Sequence, residues 1–494
     1  MSIRIRRALL LTHFAILSAL SAASAAHAHE PETTNPKHAE TIGIEAMSEG
    51  RYLDAAEAFA QFIKARPDSF VGYYNLSAAM SRAGELDASQ IAMTKALELG
   101  FSDRKQLLRD DDLAALRETD FFDSIMSVWD ELIETRRKSD LQHVSMLITH
   151  KMQARTSDKH RIELVSAHGE VATDQSLAEM DLLADWATQR LFPSQRDDSF
   201  LDGSPWVMVA LPDKAGFVKW AVTVFGPGVR NSISSVGGAY EHQDRRLVAQ
   251  DLGATFRHEF IHVLHWRDMN DRGQLHAPWI QEGLASLVED YDMVGVQLVP
   301  MPSWRTNIVK RLRKVRKLTP IETLARTEMQ QFTSQRPLAK YAQARAVMLF
   351  LLDQNKLSEF YSNYTKTIDQ DPSGIHALEQ TLSKEIADIE SDYEQWIDAL
   401  PSVPETGSDL SATLGIGITN GDGDGVVVDR LTAAARRRTG LRTSEVITAI
   451  NGRPTRDLFE FIRVLGSYKA GETVVLTTRR GIKFSETPVQ LLDR

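Results

Sequence analysis

Two histidines four residues apart bracket a glutamate in the run His258-Glu259-Phe260-Ile261-His262. In a helix such residues lie on one face, one turn apart, so their rings can converge on a single metal ion. Glu259, between them, can then reach water beside that metal and act as general base. The pattern constrains the fold as much as the chemistry. It demands a helix, and the residues from Gln250 to Arg257 and from Val263 to Arg267 extend the helical pattern on both sides. It also demands a second element facing the first, because two histidines leave a tetrahedral site incomplete.

That second element follows. Residues 278–289 read PWIQEGLASLVE, and Glu282 stands near the start of this helical stretch. A carboxylate there completes a His2Glu set and leaves one position for water. Glu289 falls on the same face, suited to bind the free nitrogen of a ligand histidine. His265 shares the face of His258, but a third ligand from one helix strains tetrahedral geometry. It reads as a residue beside the ligands or in the cleft. His276 reads as a surface or cleft histidine. The chain contains no cysteine, which excludes disulfides, thiolate zinc sites and thiol catalysis.

HEFIH followed by WIQEGLASLVE resembles the gluzincins, the aminopeptidase-type and thermolysin-like zinc peptidases. The closest likeness is to the peptidase MA-like group and its W-x-x-E-G-x-A-x-x-x-E pattern. The resemblance is concentrated in 258–289 and loose across 135–400. It implies His258, His262 and Glu282 as Zn2+ ligands and Glu259 as the general base. It further implies a sheet whose edge strand holds a peptide beside the active helix, for which Gly237–Tyr240 is the candidate. These families also supply a Tyr or His that stabilises the tetrahedral oxyanion. Tyr341, in LAKYAQARAVMLFLL, is the candidate, with simple ring packing as the alternative. No G-x-M-E-N motif precedes the active helix, which weighs against an aminopeptidase.

Both flanks resemble interaction modules. Gly50 and Gly84 are spaced by the tetratricopeptide period. Tyr52, Ala55, Phe59 and Pro67 occupy positions of the first repeat, and Tyr73, Leu76, Ala79, Leu86 and Ala96 those of the second, with Ser89 where alanine is usual. At the other end, Leu414-Gly415-Ile416-Gly417-Ile418, Gly425-Val426-Val427-Val428 and the run from Glu445 to Gly452 resemble a bacterial PDZ domain, with Ser444-Glu445 in place of the usual Gly-Asp. That resemblance implies residues 414–418 as the carboxylate-binding loop and first peptide-binding strand. A PDZ-like fold that only packs against a catalytic domain is the alternative.

The N-terminus begins with Arg4, Arg6 and Arg7, an apolar run from Ala8, and Ala26-His27-Ala28. That order is a secretory leader. The expected organisation is therefore a leader at 1–28, a flexible lead-in at 29–37, helical repeats at 38–130, a catalytic domain at 135–400, a linker at 401–409 and a PDZ-like domain at 410–494. The fold class is multidomain: an all-α tetratricopeptide segment, an α+β zincin-like domain and a small mainly-β domain. Arg305, Lys310, Arg311, Arg313, Lys314, Arg316 and Lys317, interleaved with Ile308, Val309 and Leu312, read as a helix with a solvated basic face.

A formal charge of −10 argues against wholesale binding of nucleic acid. No stretch after the leader is long and apolar enough to span a bilayer. The expectation is an exported, periplasmic zinc peptidase acting on a peptide or protein, with a protein partner at the repeats and a peptide tail at the PDZ-like domain. The alternative is a non-catalytic adaptor, or a pseudoenzyme, that assembles envelope proteins.

Overall fold

In the computed structural model the described residues are 36–135, 151–192, 206–225, 237–241, 246–421, 424–481 and 483–494, with isolated positions 138, 142, 230 and 233. Residues 1–28, expected as a leader, lie outside them. A helix already begins at Pro36, inside the stretch expected as a lead-in. Proline suits a first helical position, where no partner is lost with its missing N–H.

Four helices follow in two successive pairs: α1 (Pro36–Ser48) with α2 (Tyr52–Ala65), and α3 (Phe70–Ala83) with α4 (Leu86–Glu98). Gly50 and Gly84 hold φ of +77° and +83° where the chain reverses between partners. Ala55, Ala79 and Ala96 are fully buried, so the helices pack closely. Ser89 is fully buried too, and the structure gives its reason. Its hydroxyl donates to the Ser77 carbonyl at 2.8 Å, and the Ser77 hydroxyl donates to the Ser89 carbonyl at 2.9 Å. Each buried hydroxyl is thereby satisfied across the α3–α4 contact. Short helical turns over 104–127 complete this core, with Tyr74, Phe101 and Trp129 at its centre.

The central part rests on a five-stranded sheet. Its order is β1 (Gln153–Ser157), β2 (Ile162–Ser166), β3 (Trp206–Ala210), β5 (Arg246–Ala249) and β4 (Gly238–Glu241). Strands β2, β3 and β5 run parallel, and β1 and β4 add antiparallel at the two ends. Every residue of β3 is buried. Trp206, Met208 and Ala210 enter the large core with Met180, Leu183 and Ala187 of α5 (Glu170–Arg190). Val207 and Val209 enter a second core with Phe217, Trp220 and Ala221 of α6 (Lys214–Phe225). Helices on both faces explain why this strand is apolar throughout rather than alternating.

From β5 the chain turns into α7 (Ala254–Arg272), the helix that carries HEFIH. It starts where Asp251 accepts the Gly253 N–H at 2.8 Å and stops at Gly273, φ +62°. Buried residues lie on nearly every face, as in a central helix. Next come α8 (Pro278–Leu287), the hairpin β6 (Tyr291–Val294) and β7 (Gln297–Pro300), α9 (Trp304–Lys314) and α10 (Pro337–Asp353). Then follow α11 (Leu357–Thr367), α12 (Ile375–Leu382) and α13 (Ile386–Ala399). Helix α12 ends where Ser383 takes φ +54°.

Beyond 410 lies a separate core under a second sheet, ordered β14 (Lys483–Gln490), β13 (Thr473–Arg480), β11 (Val446–Ile450), β10 (Val426–Arg430) and β9 (Gly417–Asn420), with β12 (Arg453–Pro454) paired to β11 and a short pair β8 (Ala412–Thr413) and β15 (Leu492–Asp493) beside it. Helices α14 (Ala433–Thr439) and α15 (Leu458–Leu465) accompany it. The linker is fastened rather than free: Asn307 bonds both the carbonyl and the N–H of Val403, Lys310 bonds the Leu400 carbonyl, and Arg311 pairs with Glu405 at 2.8 Å. The basic face of α9 is divided: Arg313 pairs with Glu394 and Asp398 of α13, whereas Arg311, Lys314, Arg316 and Lys317 stay exposed to solvent as the sequence suggested. The C-terminal module also seats α15 on the central part. Arg456 pairs with Glu179 at 2.5 Å, Arg463 with Asp292 at 3.1 Å, and Phe459 stacks on Trp304. Among the described residues no helix is long and apolar enough to cross a membrane.

Candidate metal centre

Helix α7 presents His258 and His262 toward α8, which presents Glu282 back. The two Nε2 atoms stand 3.1 Å apart. Glu282 Oε2 lies 3.3 Å from one and 3.4 Å from the other. Ligands of a tetrahedral zinc, with bonds of about 2.05 Å, sit roughly 3.3 Å from each other. All three residues are buried, and Glu282 Oε2 has no hydrogen bond of good geometry. Three lone-pair donors converging on one point, with an orphaned carboxylate oxygen among them, fit a metal ion better than they fit each other.

The local sequence around Glu282 is shaped by what α8 must pack against. The Trp279 indole N–H donates to the Ser373 carbonyl at 2.9 Å and anchors the first turn. Gly283 allows α10 to pass: a Cβ there would lie 2.9 Å from the Ala344 carbonyl oxygen. Ala285 is fully buried one turn on. Tryptophan, glycine and alanine therefore hold α8 at the depth that brings Glu282 to the histidines.

Glu289 reaches the site by a different route from the one expected. Helix α8 ends at Leu287, so Glu289 sits in the turn beyond it. Its Oε1 is 2.9 Å from His258 Nδ1. A proton on Nδ1 leaves the Nε2 lone pair facing the other ligands, a tautomer assigned from the hydrogen-bond network. Burial acts to lower the His258 pKa, but the carboxylates of Glu282 and Glu289 outweigh it and hold the metal-free ring up at about 10. Burial likewise acts to raise Glu282, and the two imidazoles overcome this and keep it at about 2, ionised.

Glu259 faces β4. A Cβ on Gly238 would lie 2.7 Å from Glu259 Cγ, so the strand runs in direct contact with the general-base candidate. Burial raises the Glu259 carboxyl above its ordinary range, partly offset by His258 and His262. Tyr341, near the start of α10, has its ring 6.2 Å from that of His258 and packs on Phe332 at 5.3 Å. Burial, then the charges of Glu282 and Glu259, push its hydroxyl well above the ordinary tyrosine value, so it stays a proton donor.

His265 is not drawn into this group. Its Nε2 bonds His276 Nδ1 at 2.7 Å, and its ring stacks on Phe192. Both histidines are buried, so His276 does not take the surface position that was one of its two readings. Burial lowers both, His276 to about 3, so both rings are neutral. Of residues 414–418, Leu414 is core and Gly415 has φ +66°. The Gly415 N–H is bound by Thr413 at 3.0 Å. Ile416 and Ile418 are partly buried, and Gly417 and Ile418 lie on β9, an end strand of its sheet.

Three residues near the centre escaped the sequence pattern. Arg305 grips Glu289 through two bonds of 2.6 and 2.8 Å. Arg257 and Arg345, both fully buried, bind main-chain carbonyls between Ser286 and Met301 and staple the turn that carries Glu289. No sequence signal marked them, because an arginine that binds distant carbonyls has no local period.

No protein-family model matches the chain. A chloroplastic protein of Arabidopsis thaliana is 29% identical over 92 residues, which span 18% of this chain and 28% of that protein. Among solved structures, the crystal structure of an aminopeptidase N family protein from Idiomarina loihiensis matches at a TM-score of 0.26 and 13% identity, over 69% of this chain and 67% of that one. Neither likeness assigns the chain to a family.

Proposed function

We propose that the protein is an exported zinc-dependent peptidase of the gluzincin type, with tetratricopeptide-like repeats before its catalytic domain and a PDZ-like module after it. The observation that carries the reading is the triangle of His258 Nε2, His262 Nε2 and Glu282 Oε2, with edges of 3.1, 3.3 and 3.4 Å. Zinc held there supplies Lewis-acid polarisation of a carbonyl and acidifies water. Glu259, its carboxyl raised by burial above the ordinary range, accepts the proton of the attacking water and returns it to the leaving amine. Tyr341 keeps its proton and donates to the developing oxyanion.

The position of β4 supports a peptide rather than another substrate. It is an end strand of the sheet, and Gly238 touches Glu259. An extended peptide added along that edge would pass its carbonyls beside the general base. The leader pattern supports a periplasmic location. The β9 edge, with the turn at 414–417, supports a protein tail as partner of the last module, and the paired helices α1–α4 support a second protein partner.

The test is zinc content measured together with cleavage of an unbiased peptide library. One zinc per chain is expected, lost in His262→Ala and kept in Glu259→Gln, with cleavage lost in both. Zinc without cleavage would favour the adaptor reading. Absence of zinc from protein kept clear of chelators would end the peptidase reading.

A further inference from the structure

The ring of His258 is held by a chain of contacts that leads out of the catalytic domain. Glu289 Oε1 lies 2.9 Å from His258 Nδ1 and accepts from Arg305 Nη2 at 2.8 Å, while Glu289 Oε2 accepts from Arg305 Nε at 2.6 Å. This two-pronged grip fixes the plane of the carboxylate, not only its charge. The fixed plane aims the Oε1 lone pair at Nδ1 and so sets the orientation of the imidazole. Arg305 is itself only 12% exposed. It lies in the first turn of α9, which Ser303 and Thr306 close with a reciprocal cap.

The guanidinium rests on aromatic surface. Its carbon is 4.5 Å from the centre of the Trp304 ring and 5.8 Å from that of Tyr341. The Trp304 ring in turn stacks on Phe459, at 5.6 Å and 27°. Phe459 belongs to α15 of the C-terminal module, and α15 is seated by Arg463 on Asp292 and flanked by Arg456 on Glu179. Phe459, Trp304, Arg305, Glu289 and His258 therefore touch in sequence.

We propose that Arg305 is a positioning residue for His258, acting through Glu289, and that its seat is kept by the Trp304–Phe459 stack between the two modules. The proposal rests on the zinc reading above. It makes the affinity of the metal site depend on a residue that touches neither metal nor substrate, and on the docking of the C-terminal module.

The experiment uses the full chain, stripped of metal and titrated with zinc against a competing chelator, and the absorption spectrum of the cobalt-loaded protein. Arg305→Met keeps the apolar stem and removes the fork. It is expected to weaken zinc binding about 10–100-fold and to shift the cobalt bands, because the ligand ring is no longer held. Arg305→Lys keeps the charge without the fork and should fall between this and the parent. It also serves if Arg305→Met does not fold. Phe459→Ala should weaken zinc by about threefold, and adding it to Arg305→Met should cost nothing further.

Zinc affinity within about twofold of the parent in Arg305→Met, or in Arg305→Lys if only that variant folds, with unchanged cobalt bands, would overturn the role of Arg305. Additive losses in the double variant would overturn the support through Trp304. A parent that binds no zinc would instead overturn the metal reading itself, so the two failures are distinct.

Discussion

Replacing Gly238 by alanine is the sharpest perturbation of the proposed chemistry. The new Cβ would lie 2.7 Å from Glu259 Cγ, 3.0 Å from Thr255 Cγ2 and 3.4 Å from Glu259 Cδ. Carbon atoms settle at about 3.5–4.0 Å, so Glu259 or β4 must yield by roughly 1 Å. A displacement of about 1 Å at a reacting group costs on the order of 100-fold in rate, or ~2.7 kcal/mol. Zinc content should not change, because Glu259 is not among the ligand set. The assay is steady-state cleavage of a peptide taken from the library, with zinc content and melting temperature measured alongside. If Glu259 gives way, kcat falls and KM holds. If β4 gives way, KM rises, because the edge that receives the peptide has moved. An unchanged kcat and KM in a folded, zinc-loaded Gly238→Ala protein would refute the contact and the role drawn from it.

Three further outcomes are expected. Ser89→Ala removes the bond from the Ser89 hydroxyl to the Ser77 carbonyl and the 3.0 Å contact between the two hydroxyls, so the N-terminal helices should lose about 1–2 kcal/mol in urea unfolding; a loss under ~0.3 kcal/mol would contradict it. His276 binds protons more readily unfolded, near 6.5, than folded, near 3, so stability should fall as pH drops below 6.5, approaching about 1.4 kcal/mol per pH unit until roughly pH 3. His276→Gln should remove that share of the slope in melting curves taken from pH 7 to pH 4, and an unaltered slope would contradict the neutral buried ring. Arg456→Met removes the arginine that Glu179 and Glu460 share, leaving Glu179 to Tyr291 and Arg257 and Glu460 to Arg463 at 3.7 Å, so the seating of the C-terminal module should lose up to about 3 kcal/mol. Limited proteolysis near 400–409 should then quicken, and an unchanged cleavage rate would contradict the proposed seating.

The candidate site was legible to a useful depth before any coordinates. His258 and His262 share a face because a helix repeats every 3.6 residues, and that period is a local property. The Trp279-x-x-Glu282-Gly283-x-Ala285 run carried its packing needs within two turns. The same holds for the turn glycines Gly50 and Gly84. Boundaries were less legible. The helical stretch read over 278–289 stops at Leu287, where Arg345 and Arg257 take the carbonyls of Ser286 and Val288.

Periodicity stops being informative where a group's partner lies far along the chain. Arg305 reads as one more charge on a basic helix until the fold sets it against Glu289, 16 residues earlier, and under Phe459 of another module. The linker composition carries no sign of the bonds that Asn307 and Arg311 make to it. His265 sits at helical spacing from the ligands, yet its ring is claimed by His276 and Phe192. Backbone geometry within a few residues follows from side-chain type and period, so ligand spacing, helix starts and turns are written in the chain directly. Which charge is buried, and against what, depends on the water excluded when distant segments meet, and that is settled only once the whole core has closed.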